Sequence, residues 1–188
     1  MSKITDADAQ LVRSFQGNRD RKSFELLYGK YKDDIFDYCC RFLNDEDEAA
    51  DCTQEIFIRA FRHISSFRFE SKFSTWLFRI AVNACYNAVR NRSKHVKERY
   101  YDIGERVREP SPDPHQQLSI KEVGEAFHEG LEKLKEAQRS IIILRDLEGK
   151  SYEEIALISN MNPGTVKSTL ARARFKMAEH LKDYRNGM

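Results

Sequence analysis

The sequence predicts an all-α protein in which two small helical domains are joined by an extended linker that contains proline. Apolar residues recur at steps of three and four in both halves of the 188-residue chain, which is the spacing of amphipathic helices. Three of the four prolines fall within residues 110–114, where no apolar period is visible. We therefore predict a first domain over residues 1–93, a linker over residues 94–117 and a second domain over residues 118–188.

The composition agrees with a packed, helical chain. Apolar residues make up 40% of the sequence and charged residues 33%, which excludes a wholly disordered or fibrous protein. No stretch approaches the roughly 18 consecutive apolar residues that span a bilayer, and the polar N-terminus has no signal core. We expect a cytoplasmic protein with no membrane segment of its own.

Neither a metal site nor a catalytic site is expected. The five histidines are scattered along the chain, and the four cysteines show no C-x-x-C spacing. In a reducing compartment the cysteines are expected to be buried thiols that pack as small apolar groups. The sequence therefore predicts no cofactor, no metal and no enzymatic activity.

Three helices are predicted in the first half. Apolar residues at steps of three or four build one helix face over residues 24–38. A second helix is expected to begin near Asp47, because acidic side chains in a first turn favour the positive end of the helix dipole. After a loop over residues 65–73, a third helix is predicted over residues 75–92. Trp76 lies on the apolar stripe of this helix and is assigned to the core.

Four further helices are predicted over residues 118–134, 136–147, 151–159 and 163–182. Ser151 and Glu154 form a capping-box pattern, in which each side chain satisfies the other residue's free backbone N–H. Asn160 suits a left-handed turn position. Asn162 before Pro163 is typical of a capped helix start.

The last two helices have the layout of a helix-turn-helix, in which the second helix is rich in Lys and Arg. The residues expected to fill the seam between them are Ile155, Ala156, Val166, Leu170 and Ala173. Lys167 and Arg172 then lie on the opposite face, which suits base edges and phosphates in a major groove. An ordinary helical hairpin with a basic outer face is the alternative interpretation.

Charges are segregated along the chain although the formal net charge is only +2. Residues 44–55 carry acidic side chains and no Lys or Arg, whereas residues 76–97 and 165–176 carry Lys and Arg and no acid. This pattern indicates one acidic docking surface and two basic surfaces suited to phosphates. Solvated helix faces are the alternative for any single block.

Two stretches of the chain resemble the sigma-70 family. The segments DCTQEIFIRAFRHISSFR (51–68) and FSTWLFRIAVNACYNAVR (73–90) resemble region 2 of its extracytoplasmic-function group, and the segment LEKLKEAQRSIIILRDLEGKSYEEIALISNMNPGTVKSTLARARFKMAEHL (131–181) resembles region 4. The resemblance implies a dissociable subunit, monomeric when free, that directs core RNA polymerase to promoters and assists DNA melting. The implied partners are the β′ coiled coil and β subunit of the polymerase, promoter DNA and an anti-sigma factor.

The resemblance assigns candidate residues to three surfaces. The candidates for docking on the β′ coiled coil are Asp51, Gln54, Glu55 and Phe57. Those for the −10 element are Ser66, Phe67, Arg68, Lys72, Arg79, Asn83, Asn87 and Arg90. Those for the −35 element are Thr165, Lys167, Ser168, Ala171 and Arg172. In the −10 set, Phe67 with its neighbours is expected to shape a pocket for an extruded base, with Asn83 at its wall.

The chain departs from the family pattern at three places in region 4. Asn160 replaces the usual turn glycine, Asn162-Pro163 replaces a Pro-acid pair, and Lys135 stands where proline is frequent.

A different class of protein also remains open: a stand-alone helix-turn-helix regulator whose first half senses a ligand or dimerises. Such a sensor requires an apolar cavity at residues 67–83, whereas a melting surface requires exposed aromatic, amide and basic groups there. The sequence contains no nucleophile–base pair or metal-ligand spacing that would favour a third alternative, a helical hydrolase.

Overall fold

The computed structural model describes the backbone of residues 7–99 and 120–186 and the side chains of residues 7–92 and 124–182. Every regular element in these ranges is helical, as the sequence predicts. The helices are α1 (Ala7–Asn18), α2 (Arg21–Leu43), α3 (Glu46–His63), α4 (Phe73–Arg99), α5 (Ile120–Glu132), α6 (Glu136–Ile142), α7 (Tyr152–Ser159) and α8 (Pro163–Asn186). A 3-10 turn (Ile64–Ser66) follows α3, and a π-helical turn (Ile143–Leu147) follows α6. The proline stretch predicted as a linker lies outside the described residues.

Helix α1 is the element that the sequence analysis did not predict. Only a short apolar period marks it, because Val12 and Phe15 are its buried apolar residues. Asp8 is also buried, and it accepts hydrogen bonds from Lys30 Nζ at 2.6 Å and from the Tyr31 hydroxyl on α2. Burial and the hydrogen bond to Asp8 raise the pKa of Tyr31 to about 12. Contacts with α2 therefore hold this helix in place, and the sequence of residues 7–18 alone does not predict them.

The boundaries of α2 and α3 follow from their capping residues. Asp20 accepts a hydrogen bond from the backbone N–H of Lys22 at the start of α2, and Asn44 ends that helix in the left-handed conformation. Asp45 then caps α3 by accepting from the backbone N–H of Glu48 at 2.9 Å. Helix α3 thus begins one residue before the predicted Asp47, with three acidic side chains in its first turn.

Helix α4 is longer than the sequence analysis predicts. It extends from Phe73 to Arg99, seven residues beyond the predicted end at Arg92. Residues 93–99 contain no glycine or proline, and their Lys, Glu and Arg have high helix propensity. The lack of an apolar period there hid the continuation of the helix.

The local signals of the second half are confirmed. Ser151 Oγ accepts from the backbone N–H of Glu154 at 3.1 Å, and Glu154 accepts from the backbone N–H of Ser151 at 2.9 Å. Asn160 adopts the left-handed conformation with φ 51° and ψ 46°. Asn162 Oδ1 accepts from the backbone N–H of Thr165 at 2.8 Å, which caps the start of α8.

One apolar core runs through both halves of the structure. Tyr38 and Phe42 of α2 are fully buried at the point where side chains of α6 contact α2. The Tyr38 hydroxyl lies 3.0 Å from Ser140 Oγ, and Arg139 Nη1 donates to the carbonyl of Phe42 at 2.8 Å. The two helical units therefore contact each other directly.

Ion pairs lie at the rim of this contact. Arg41 Nη1 is 2.7 Å from Glu148 Oε1, and Lys72 Nζ is 2.9 Å from Glu154 Oε1. The Glu148 side chain is only 9% exposed. Burial raises the pKa of the Glu148 carboxyl, and the positive charge of Arg41 offsets part of that effect. Within the described residues, no helix is both long enough and apolar enough to cross a bilayer.

Candidate functional site

The acidic candidates lie on the outer face of α3. Asp51 and Gln54 are exposed, and Glu55 is partly exposed. Glu55 Oε1 accepts from Arg59 Nε at 2.6 Å, one turn further along the helix. This face is exposed to solvent, and the Glu55 carboxylate is partly neutralised by its pairing with Arg59 within the same helix.

Phe57 is placed differently from its neighbours. It is 5% exposed, and its ring meets the ring of Tyr28 edge-on at a centroid distance of 4.7 Å. Phe57 therefore anchors α3 to α2, and only a small part of it reaches the groove of about 400 Å³ between those helices. The larger apolar side chains that line this groove and remain exposed are Tyr28, Ile58 and Phe61.

Sequence reasoning missed these three exposed apolar residues. Tyr28, Ile58 and Phe61 keep 44%, 45% and 41% of their surface exposed, although they are large and apolar. Gln54, Ile58 and Phe61 follow one another at steps of four and three, which places them on a single helix face. This spacing was the signal available in the sequence. It places Ile58 and Phe61 on a helix face adjacent to the buried face that contains Phe57.

The candidate −10 surface is an open groove of about 400 Å³ beside the loop after α3. Ser66 and Arg68 are exposed in its wall, and Arg79 of α4 lies opposite. Phe67 is a correction to the expected exposed aromatic, because it is only 7% exposed. The centroid of its ring lies 5.5 Å from that of Trp76, within a cluster that also contains Phe69 and Phe73.

The remaining −10 candidates form a track along α4. Arg79, Asn83, Asn87 and Arg90 follow one another at steps of four, four and three, so they share one face of the helix. Arg79, Asn83 and Arg90 are exposed, and Arg90 donates to the Asn87 side chain. Asn83 lies one turn beyond the groove and does not line it. The expectation that Asn83 forms the wall of the pocket is thus corrected.

The candidate −35 residues lie together on the solvent face of α8. Thr165, Lys167, Ser168, Ala171 and Arg172 are all exposed, as the helix-turn-helix pattern predicts. The predicted seam residues Ile155, Ala156, Val166, Leu170 and Ala173 are all buried. The guanidinium of Arg172 folds back along the helix, where Nε donates to the Ser168 carbonyl at 3.2 Å. Lys167 Nζ lies 5.5 Å from the centroid of the Tyr152 ring.

Helix α7 covers part of the −10 surface, which the sequence did not reveal. Leu157 of α7 lines the same groove as Arg68 and Arg79. Glu154 of α7 pairs with Lys72, another −10 candidate. In this arrangement the second helical unit covers part of the candidate −10 surface, while the outer face of α8 is exposed.

Three of the four cysteines converge in the core. The sulfurs of Cys39, Cys52 and Cys85 lie within 4.8 Å of one another, and these residues come from α2, α3 and α4. Hydrogen bonds from the Cys39 and Cys85 thiols lower the pKa of Cys52. Cys40 lies outside the cluster, although it is adjacent to Cys39 in the sequence.

Comparison with known families identifies both halves of the chain. The family model of sigma-70 region 2 matches residues 27–95, and the model of sigma-70 region 4 matches residues 117–177. The first range contains the acidic face and the −10 candidate residues. The second contains the helix-turn-helix.

Two curated proteins are similar over nearly the whole chain. The RNA polymerase sigma-H factor of Pseudomonas aeruginosa is 34% identical over 176 residues, which cover 90% of this chain and 91% of the relative. The ECF RNA polymerase sigma-E factor of Haemophilus influenzae is 36% identical over 175 residues, which cover 89% of this chain and 91% of the relative.

A solved structure has the same fold. The sigma factor RpoE of Bartonella quintana, crystallised with the anti-sigma factor NepR, superposes with a TM-score of 0.68 at 29% identity. The match covers 86% of this chain and 98% of the other. The similarity therefore includes both helical units and not only the helix-turn-helix.

Proposed function

The chain belongs to the extracytoplasmic-function group of the sigma-70 family, and from this premise we propose how its three surfaces divide the work of initiation. As an alternative sigma factor, it directs RNA polymerase to promoters. In our proposal α3 docks on the polymerase, the loop after α3 and the exposed face of α4 engage the −10 element, and α8 reads the −35 element. The protein acts by binding and carries out no catalysis.

Docking on the β′ coiled coil uses both the acidic face and the apolar groove beside it. Asp51 and Glu55 supply charge that orients a basic partner, and Gln54 supplies a neutral donor and acceptor. The exposed Ile58 and Phe61 offer apolar area at the centre of the contact, where a few large side chains carry most binding energy. Phe57 supports this surface from beneath.

Melting at the −10 element begins at the groove lined by Ser66, Arg68 and Arg79. A flipped base of the non-template strand stacks against the edge of the aromatic cluster under this groove, which offsets its lost stacking in the duplex. The basic and amide side chains at positions 79, 83, 87 and 90 then follow the phosphates of that strand along α4. The polar, open lining of the groove disfavours the alternative of a ligand-sensing cavity.

Reading of the −35 element uses the exposed face of α8 in the major groove. Lys167 and Arg172 contact phosphates or base edges, Ser168 and Ala171 permit close approach, and Thr165 at the helix start holds a phosphate. Arg172 must leave its contact with Ser168 to reach DNA. This exchange of one hydrogen-bond partner for another costs little because both acceptors are polar.

The free chain is proposed to be a monomer in the cytoplasm that binds promoter DNA weakly. The contact between α7 and the −10 groove supports this, because the two DNA-binding surfaces are held in one compact arrangement. Core polymerase separates the units to match the −10 and −35 spacing. We also propose an anti-sigma partner that holds the units together, as the structural relative was crystallised with one.

The exposed face of α8, with its apolar side packed on α7, is the observation that carries the proposal. It is tested by transcription in vitro with core polymerase on genomic fragments, followed by mapping of start sites. The variant Arg172→Ala is expected to reduce initiation and to lower the slope of log affinity against log salt by about 1 if the contact is to phosphate. Lys182→Ala, on the same helix but ten residues beyond Arg172, serves as the matched control. Equal initiation by wild type and Arg172→Ala would contradict the assignment of α8, and failure of the wild type to start transcription would contradict the function.

A further inference from the structure

The three clustered thiols have the geometry of a metal donor set. Cys85 Sγ lies 3.7 Å from Cys39 Sγ and 3.9 Å from Cys52 Sγ. A metal ion bound at about 2.3 Å from each of three sulfurs in one plane holds those sulfurs roughly 4.0 Å apart. The two sulfur–sulfur distances at Cys85 are therefore within a few tenths of an ångström of that value, and the third distance, between Cys39 and Cys52, is at most 4.8 Å.

We propose that Cys39, Cys52 and Cys85 bind Cu(I) as a three-thiolate site between α2, α3 and α4. Thiolate sulfur is a soft ligand that favours Cu(I) and Zn²⁺ over the hard cations. Zn²⁺ in structural sites takes four protein ligands. Among the described residues the cluster offers three such donors, with no histidine or carboxylate in the same group. Cu(I) is satisfied by this lower number of soft ligands.

An entry route leads from solvent to one of the sulfurs. Cys52 is 9% exposed and lies in the wall of a groove of about 490 Å³ between α3 and α4. Cys39 and Cys85 are fully buried. The same groove is lined by the carboxylates of Glu48, Asp51 and Glu55 and by two arginines. A cation can thus reach Cys52 first and transfer to the deeper sulfurs.

Binding balances without any change of oxidation state. Cu(I) arrives already reduced, each coordinating thiol loses its proton to solvent, and three sulfur–metal bonds form. The bound ion links three helices that also meet through apolar contacts and through the pairing of Arg92 with Glu48. It therefore stabilises the helical unit that carries the acidic face and the −10 groove, and this site does not depend on the proposed roles of those surfaces.

The test is competition for Cu(I) between the full-length protein and a chromophoric Cu(I) chelator, under anaerobic and reducing conditions. The wild type is expected to withdraw one equivalent of Cu(I) and to show a higher Tm with the metal than without it. Cys52→Ser and Cys39→Ser are expected to weaken Cu(I) binding by more than the roughly 10- to 100-fold that loss of an outer-shell partner causes. Cys40→Ser provides the matched control, because it removes a neighbouring thiol outside the cluster.

Each outcome decides the proposal. Circular dichroism of the metal-free variants establishes that they are folded, and Cys52→Ser is the safer variant because its side chain lies at the edge of the core. The proposal is overturned if the wild type fails to compete for Cu(I), or if Cys40→Ser loses as much affinity as Cys52→Ser. It is also overturned if the cluster retains Zn²⁺ in preference to Cu(I), since that requires a fourth ligand.

Discussion

Removing Arg41 is expected to open the contact between the two helical units. Arg41 on α2 pairs with Glu148 after α6 at 2.7 Å, so the pair joins one unit to the other. Neither residue belongs to a candidate binding surface. The variant Arg41→Ala therefore changes the contact between the units while leaving the docking and DNA-reading side chains in place.

The size of the effect follows from the burial of the two side chains. Leaving one member of a fully buried ion pair without its partner costs about 3 to 5 kcal/mol. Glu148 is 9% exposed but Arg41 is 33% exposed, and Arg41 also contacts Asp37 at 3.5 Å, so part of that cost is screened or shared. We expect a loss of about 2 kcal/mol. This corresponds to a roughly 30-fold rise in the ratio of open to closed molecules.

Two measurements follow the opening. Small-angle X-ray scattering is expected to give a larger radius of gyration for Arg41→Ala than for the wild type. Binding of the free protein to a labelled non-template strand, taken from a mapped promoter, is expected to strengthen by up to about 30-fold because more molecules expose the −10 groove. The swapped double variant Arg41→Glu with Glu148→Arg should restore the closed form.

Lys32→Ala is the matched control for this experiment. Lys32 lies on the same helix, and its carboxylate contact is an exposed one with Asp33 at 4.0 Å, so its removal should alter neither scattering nor DNA binding. The reasoning is refuted if folded Arg41→Ala keeps the scattering profile of the wild type and binds the strand within about twofold of it. It is also refuted if Lys32→Ala has an equal effect.

Two further predictions test local claims. Charge reversal by Asp51→Lys with Glu55→Lys should weaken binding to core polymerase in a competition assay. The circular dichroism spectrum should be retained, because both side chains lie on the outer face of α3. Unchanged affinity would remove the acidic face from the docking surface. Asn160→Ala should lower stability by about 1 kcal/mol in chemical denaturation, because alanine is strained in the left-handed conformation, whereas Asn160→Gly should be close to neutral. Equal losses for the two Asn160 variants would contradict the conformational argument.

Features that depend on neighbouring residues in the chain were predictable. The capping box of Ser151 and Glu154, the left-handed Asn160 and the Asn162 cap each involve atoms a few residues apart, so the sequence contains the whole interaction. The exposed face of α8 follows from helical spacing for the same reason.

Features that depend on distant residues were missed. Helix α1 is tied to α2 by Asp8, whose partners lie more than twenty positions away. Phe67 is buried because the rings of Phe69, Phe73 and Trp76 converge on it. Its burial depends on the turn of the chain after α3, and the exposure expected for a loop residue did not apply.

The sequence by itself determined the helical class, the identity of both family regions, the caps and the polar face of α8. Each of these features depends on the spacing and type of side chains within a short stretch of the chain. Only the tertiary structure decided that α7 lies against the candidate −10 groove, that Tyr28, Ile58 and Phe61 form an exposed apolar surface, and that Cys39, Cys52 and Cys85 meet. The physical reason is that these arrangements arise from the packing of separate helices in one core, where the position of each side chain depends on all the others.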